Sequence, residues 1–103
     1  MEFNLASTIR SSAKRLFPGI NPEKAFAELL LERAQKNLIK YQVMARRFET
    51  KYQQDFPNFR NNILESDPGF DSEQDYFDWE MAITGIADMT AEIDNLRKLI
   101  AAI

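Results

Sequence analysis

The segment Asp67-Pro68-Gly69-Phe70-Asp71-Ser72-Glu73-Gln74-Asp75-Tyr76-Phe77-Asp78-Trp79-Glu80 gathers the side chains of this chain best suited to chemistry. Carboxylates at short intervals can hold a cation. A calcium loop of the EF-hand type, however, needs Gly at its sixth position and Glu at its twelfth. Counted from Asp67 the sixth residue is Ser72, and counted from Asp71 it is Tyr76, so both registers fail. Asp75 and Asp78 share one helical face, and a carboxylate pair can carry acid–base hydrolysis. Nothing in the pattern predicts a concave site around them. With no His and no Cys in 103 residues, the commonest general base, the commonest zinc ligand and thiolate nucleophiles are missing. A di-iron bundle built on Glu-x-x-His pairs is excluded in that form. The expectation is a protein with no enzymatic activity, no metal and no cofactor.

The same segment suits recognition better. Aromatic side chains among acids are typical anchors for a basic partner. Phe70, Asp71, Asp75, Tyr76 and Asp78 are the candidate partner-binding residues, and Trp79 reads as core. A helix N-terminus also favours acids through its dipole, which is the plainer account of the same residues. If the acids are uncompensated, neutralising Asp71, Asp75 and Asp78 together leaves stability unchanged or slightly improved. A second charged cluster, Arg10, Lys14 and Arg15, could touch phosphates. Three cations are a small footprint, so nucleic acid is not the expected partner.

Net charge is −3, and its sign is divided along the chain. Residues 1–60 hold 11 Lys/Arg against 6 Asp/Glu, whereas residues 61–96 hold 10 Asp/Glu and no Lys or Arg. Such a chain can pair its halves or offer opposite signs to a partner. Residues 1–16 contain no uncharged apolar run of signal-peptide length, and no stretch approaches roughly 18 apolar residues. The expected location is the cytoplasm, without membrane contact.

Four segments must position these groups within one domain spanning residues 1–103. Phe3, Ala6, Ile9, Ala13 and Leu16 are spaced as one face of a short helix, which places an N-terminal helix within residues 1–17; Pro18-Gly19 ends it. Asn21-Pro22-Glu23 is a helix start, and no Pro or Gly interrupts residues 22–54. At about 1.5 Å per residue this second helix is roughly 50 Å long. Residues 55–72 read as a connection with a short helical turn near Pro57, carrying Phe56, Phe59, Ile63 and Leu64. Ser72 followed by Asp75 resembles a capping box, which opens the last helix over 73–102.

Both long helices carry an apolar repeat stepping by three and four, the coiled-coil spacing. In the first it is Ala27, Leu31, Ala34, Leu38, Tyr41, Ala45 and Phe48. In the second it is Trp79, Ala82, Ile86, Met89, Ile93, Leu96 and Ile100. Laid antiparallel, residues whose numbers sum to 127 pair along the whole seam, from Phe48 with Trp79 to Ala27 with Ile100. The register also sets basic Arg33–Lys51 beside acidic Glu80–Asp94, so each helix neutralises the other. Gly85, in mid-helix, suggests a close approach or a slot for a third element. Phe26, Leu29, Leu30, Ile39, Val43, Met44, Ile83 and Leu99 lie partly off the seam. That is more apolar surface than one short helix covers, so a homodimer forming a bundle is expected. The fold class is therefore all-α, a long antiparallel helical hairpin with a short connecting helix and an N-terminal helix.

The motifs Leu16-Phe17-Pro18-Gly19, Asn21-Pro22-Glu23-Lys24-Ala25, Arg47-Phe48-Glu49-Thr50-Lys51-Tyr52, Phe56 with Phe59, and Asp75-Tyr76-Phe77-Asp78-Trp79-Glu80 carry a resemblance over about residues 16–99. The chain resembles a group of small bacterial and archaeal helical proteins encoded beside a small toxin-like protein and regarded as antitoxin-like. That group commonly has Phe-x-x-Lys-Tyr-Gly, where this chain has Gln53 in place of the Gly. The resemblance implies a non-catalytic protein that binds and neutralises a cognate toxin, and it transfers no functional residue. The alternatives are a homo-oligomeric coiled-coil scaffold and, third, a nucleic-acid-binding regulator acting through Arg10, Lys14 and Arg15.

Overall fold

The structure, a computed structural model, describes residues 4–66 and 69–103. Phe3, expected on the first helix, and Asp67 and Pro68, from the acidic segment, lie outside them. The described residues form four helices: α1 (Leu5–Leu16), α2 (Pro22–Tyr52), α3 (Phe56–Glu65) and α4 (Phe70–Ala102). The fold is all-α, with α2 and α4 packed as the expected hairpin. Among the described residues no helix is long and apolar enough to cross a membrane.

The helix starts follow local chemistry. Asn4 Oδ1 accepts from the Ser7 amide at 3.1 Å, Asn21 Oδ1 from the Glu23 amide at 2.8 Å, and Asp55 Oδ1 from the Asn58 amide at 3.0 Å. Each satisfies an amide that has no partner within its helix. Pro22 and Pro57 occupy opening positions, where a missing N–H costs nothing. Helix α2 stops at Tyr52 rather than Gln54 because Gln53 turns left-handed, at φ 52° and ψ 38°. Gly is the residue best suited to that conformation. Gln53→Gly is therefore expected to stabilise the fold by about 0.5–1 kcal/mol, read as a small rise in denaturation midpoint. A fall would mean that the Gln53 Nε2 bond to the Thr50 carbonyl, 2.8 Å long, outweighs the backbone gain.

Two expectations for the connection need correction. It holds a full ten-residue helix rather than a turn, because Phe56, Phe59 and Ile63 recur every three to four residues and dock against Trp79. Leu64 points outward, 69% exposed. The last helix begins at Phe70, with Gly69 as its N-cap. Ser72 thus lies inside the first turn, and no Ser72–Asp75 capping box forms, because Asp75 is drawn into other bonds.

The seam is in the expected register. Phe48 stacks on Trp79 with ring centroids 5.6 Å apart, and Leu31, Leu38 and Met89 pack on the cluster of Ala34, Ile93 and Leu96. Three alanines, Ala27, Ala34 and Ala45, are the buried seam residues of α2; their small size lets the helices approach. Gly85 answers one aromatic. A Cβ there would lie 2.6 Å from Tyr41 Cδ2 and 2.7 Å from Cε2, so the slot belongs to the Tyr41 ring of α2, not to a third element. Gly85→Ala gains about 1 kcal/mol of helix propensity but overpacks the ring at about 1–3 kcal/mol. The expected result is a net loss of about 1 kcal/mol in chemical denaturation. A more stable variant would show that Tyr41 moves freely.

Mutual neutralisation of the two long helices is corrected as well. Among the described residues, Lys51–Asp75 is the one ion pair that bridges α2 and α4. The others are Arg10–Glu23, Lys36–Glu32 and Lys98–Asp94. Glu32–Lys36 and Asp94–Lys98 each lie within one helix, and Arg10–Glu23 joins α1 to α2. Helix α1 has no buried residue and touches only the opening turns of α2, where Ala25 is fully buried.

Candidate functional site: the acidic–aromatic flank of α4

Helix α4 presents two stripes. One is the seam. The other runs through Phe70, Phe77 and Met81, which at about 100° per residue lie within about 40° of one another around the helix. These side chains are 81%, 55% and 51% exposed. Glu73 and Glu80, seven residues apart, border the line on one side. Asp71 and Asp78, also seven apart, border it on the other. Asp71, Glu73 and Glu80 are exposed and Asp78 is half-buried, accepting from Gln74 Nε2 at 3.0 Å. The acids Asp71 and Glu73 of the first turn also complement the helix dipole.

The five residues expected to form the site divide. Phe70 and Asp71 face solvent, with Asp78 at the border. Tyr76 turns inward, half-buried, stacked on Phe56 at 5.6 Å and edge-on to Phe77 at 5.5 Å. Asp75 is also drawn in, its side chain 17% exposed. Its Oδ2 accepts from Lys51 Nζ at 2.5 Å and from the Tyr52 hydroxyl at 2.5 Å. The Lys51 ammonium, and then the Tyr52 hydroxyl, hold the Asp75 carboxyl below its ordinary value. The same bond raises Lys51. Tyr52 is pushed up, first by burial and then by the adjoining carboxylate. Asp75 therefore ties α2 to α4, and its removal is expected to destabilise the hairpin. The expectation that neutralising all three aspartates is harmless fails at this residue.

Phe77, Met81, Glu73 and Glu80 were missed as site residues. Their signal was present as a second heptad, Phe70, Gln74, Phe77, Met81, Thr84, Asp88, running beside the seam. Across the helix pair, Tyr41, Phe77, Met81, Thr84, Gly85 and Asp88 line a shallow cavity of about 380 Å³, floored at the Gly85–Tyr41 contact.

At the opposite end of the hairpin, α1 and the start of α2 enclose a larger groove of about 480 Å³. Ile9, Leu16, Phe26 and Leu29 line it and are 56%, 75%, 53% and 46% exposed. Arg10, a candidate phosphate contact, is engaged by Glu23 at 3.4 Å, and Arg15 reaches Ser12 Oγ at 3.3 Å. Lys14 is exposed. Among the described residues no group of three or more His, Cys, Asp or Glu is arranged to hold a metal. Comparison with known protein families, with curated proteins and with solved structures gave no match.

Proposed function

We propose that this chain is a non-catalytic, cytoplasmic protein-binding module whose α4 flank engages a basic protein, in the manner of an antitoxin neutralising its toxin. The observation that carries the reading is the apolar line Phe70, Phe77 and Met81, exposed between two rows of acids in a region without Lys or Arg. Exposed aromatics supply anchoring area, and a single-sign rim steers a partner of opposite sign. Phosphate binding is less well supported, since Arg10 is already paired with Glu23.

The test is to look for a small basic protein encoded directly beside this gene and to co-express the two, followed by purification through a tag on that neighbour. Stoichiometric co-purification and relief of the neighbour's growth inhibition are expected, and Phe70→Ser with Phe77→Ser should abolish both. Retention of both effects in the double variant would overturn this assignment. A homo-oligomeric scaffold is the second reading, favoured by the exposure of Phe26, Leu29 and Leu30 on α2.

A further inference from the structure

Three surface cavities of the hairpin differ in how their charges are used. The α1–α2 groove carries one charged pair, Arg10 and Glu23, and the two are bonded to each other at 3.4 Å. A cavity of about 320 Å³ between α2 and the later turns of α4 carries Asp94 and Arg97, of opposite sign, and Asp94 is held by Lys98 at 2.9 Å. The cavity of about 380 Å³ beside Gly85 is different. Its charged lining residues are Glu80 and Asp88, both exposed, and no cation lines it. Among the described residues neither acid forms an ion pair. Lys40 precedes Tyr41 in the chain, but it neither lines this cavity nor forms an ion pair.

Gly85 shapes the cavity. A Cβ there would lie 2.6 Å from the Tyr41 ring, so its absence lets the ring settle between α2 and α4. The ring is half-buried and forms the wall supplied by α2. Around α4, Phe77 lies about 40° to one side of Met81, Gly85 about 40° to the other, and Asp88 about 20° away. Asp88 therefore continues the exposed line of Phe77 and Met81, about 10 Å beyond Met81 along the axis. Side chains on a helix lean toward its N-terminus. Asp88 thus leans back over Thr84 and Met81, into the cavity, whereas Glu80 leans toward Phe77 and stays at the rim. The two acids, about 12 Å apart along the axis, are too distant to share a metal ion.

An exposed apolar wall that ends in an unpaired carboxylate, with an aromatic ring alongside, suits a side chain that is apolar along its stem and cationic at its tip. Arginine fits best. Its planar guanidinium forks onto a carboxylate and stacks on an aromatic ring, and the compact ammonium of lysine offers neither the fork nor the flat face. We propose that this cavity is a socket for an arginine side chain of the basic partner, with the stem along Phe77 and Met81 and the guanidinium on Asp88 beside Tyr41. The proposal rests on the flank function given above and deepens it. Rim acids speed encounter, while Asp88 and Tyr41 hold the arginine once bound and slow its departure.

Titration of the isotope-labelled chain with a blocked Gly-Gly-Arg-Gly-Gly peptide, followed by nuclear magnetic resonance, tests the socket without any partner. Saturable shifts are expected at the Thr84, Gly85 and Asp88 amides and at the Tyr41 ring. The citrulline peptide, of the same shape but neutral, should bind at least about tenfold more weakly, and the lysine peptide at least about threefold more weakly. Asp88→Asn should weaken the arginine peptide about tenfold. Asp71→Asn with Glu73→Gln removes two charges from the same helix away from the cavity and should change its affinity by less than about twofold. Absence of saturable shifts at Gly85 would overturn the proposal. So would citrulline or lysine peptides that bind as tightly as arginine, or an Asp71 and Glu73 variant that loses as much as Asp88→Asn. Capture of a basic neighbouring protein, unchanged by Asp88→Asn and with no peptide shift at Gly85, removes only this inference. Peptide binding as expected, with no such protein captured, removes only the function proposed above.

Discussion

Trp79→Ala is expected to remove about 3–5 kcal/mol of stability, the cost of emptying a large buried aromatic site. Trp79 is 0% exposed, the largest side chain so buried in the described core. Its ring meets Phe48 of α2 at 5.6 Å, and Phe56 and Phe59 of α3 at 5.4 and 5.1 Å. It therefore joins three helices, and the first consequence of its loss is release of α3. Small domains have total stabilities of about 5–15 kcal/mol, so the variant loses a large share. Trp79→Phe separates packing from polarity. The indole Nε1 is buried with no hydrogen-bond partner, and a buried unpaired donor costs about 1–3 kcal/mol. Phenylalanine removes that donor while keeping part of the ring, so its loss should be well below that of alanine. Urea denaturation monitored by circular dichroism measures both. An alanine variant within about 1 kcal/mol of wild type would contradict this core.

Asp75→Asn should cost about 1–2 kcal/mol at neutral pH, the range for a hydrogen bond to a charged group discounted because Lys51 is well exposed. It should also change the pH dependence. The Asp75 carboxyl is held below its ordinary value in the folded chain, first by Lys51 and then by Tyr52. A depressed folded value means that the stabilisation is present above the unfolded value and is lost as pH falls through the folded one. The effect thus lies at and below the ordinary carboxylate range near 3.8. Wild type should lose stability there more steeply than Asp75→Asn. Tyr52→Phe, which removes one donor to Oδ2, should cost about 1 kcal/mol at pH 7. Parallel acid limbs in wild type and Asp75→Asn would rule out this role for the carboxylate.

The hairpin was legible because both seams obey one period and a single sum, 127, pairs every member. Helix lengths were less so. A left-handed Gln53 ends α2 early, and that is a backbone event which Gln does not announce. Helix α3 was under-read because Asp, Asn and Pro look like loop residues, yet Asp55 and Pro57 here begin a helix that Phe56, Phe59 and Ile63 dock. For the site, the acidic-aromatic segment was visible but its facing was not. Asp75 and Tyr76 look like Asp71 and Phe70 in composition. Only the angle around α4, together with Lys51 and Tyr52 arriving from α2, turns the first pair inward. The true outward line was masked by the stronger seam running beside it.

The central claim is that the α4 flank recruits a basic protein. Its most direct test is the association rate with a small basic protein encoded beside this gene, followed by stopped flow across a range of salt. Wild type is compared with Glu73→Gln, Asp78→Asn and Glu80→Gln combined, leaving Asp75 to hold the hairpin. The predicted result is slower association at low salt, by about tenfold, with a shallower salt dependence and little change in dissociation, since rim charges act on encounter. Absence of any complex, or an unchanged rate and salt dependence in the triple variant, would contradict the claim.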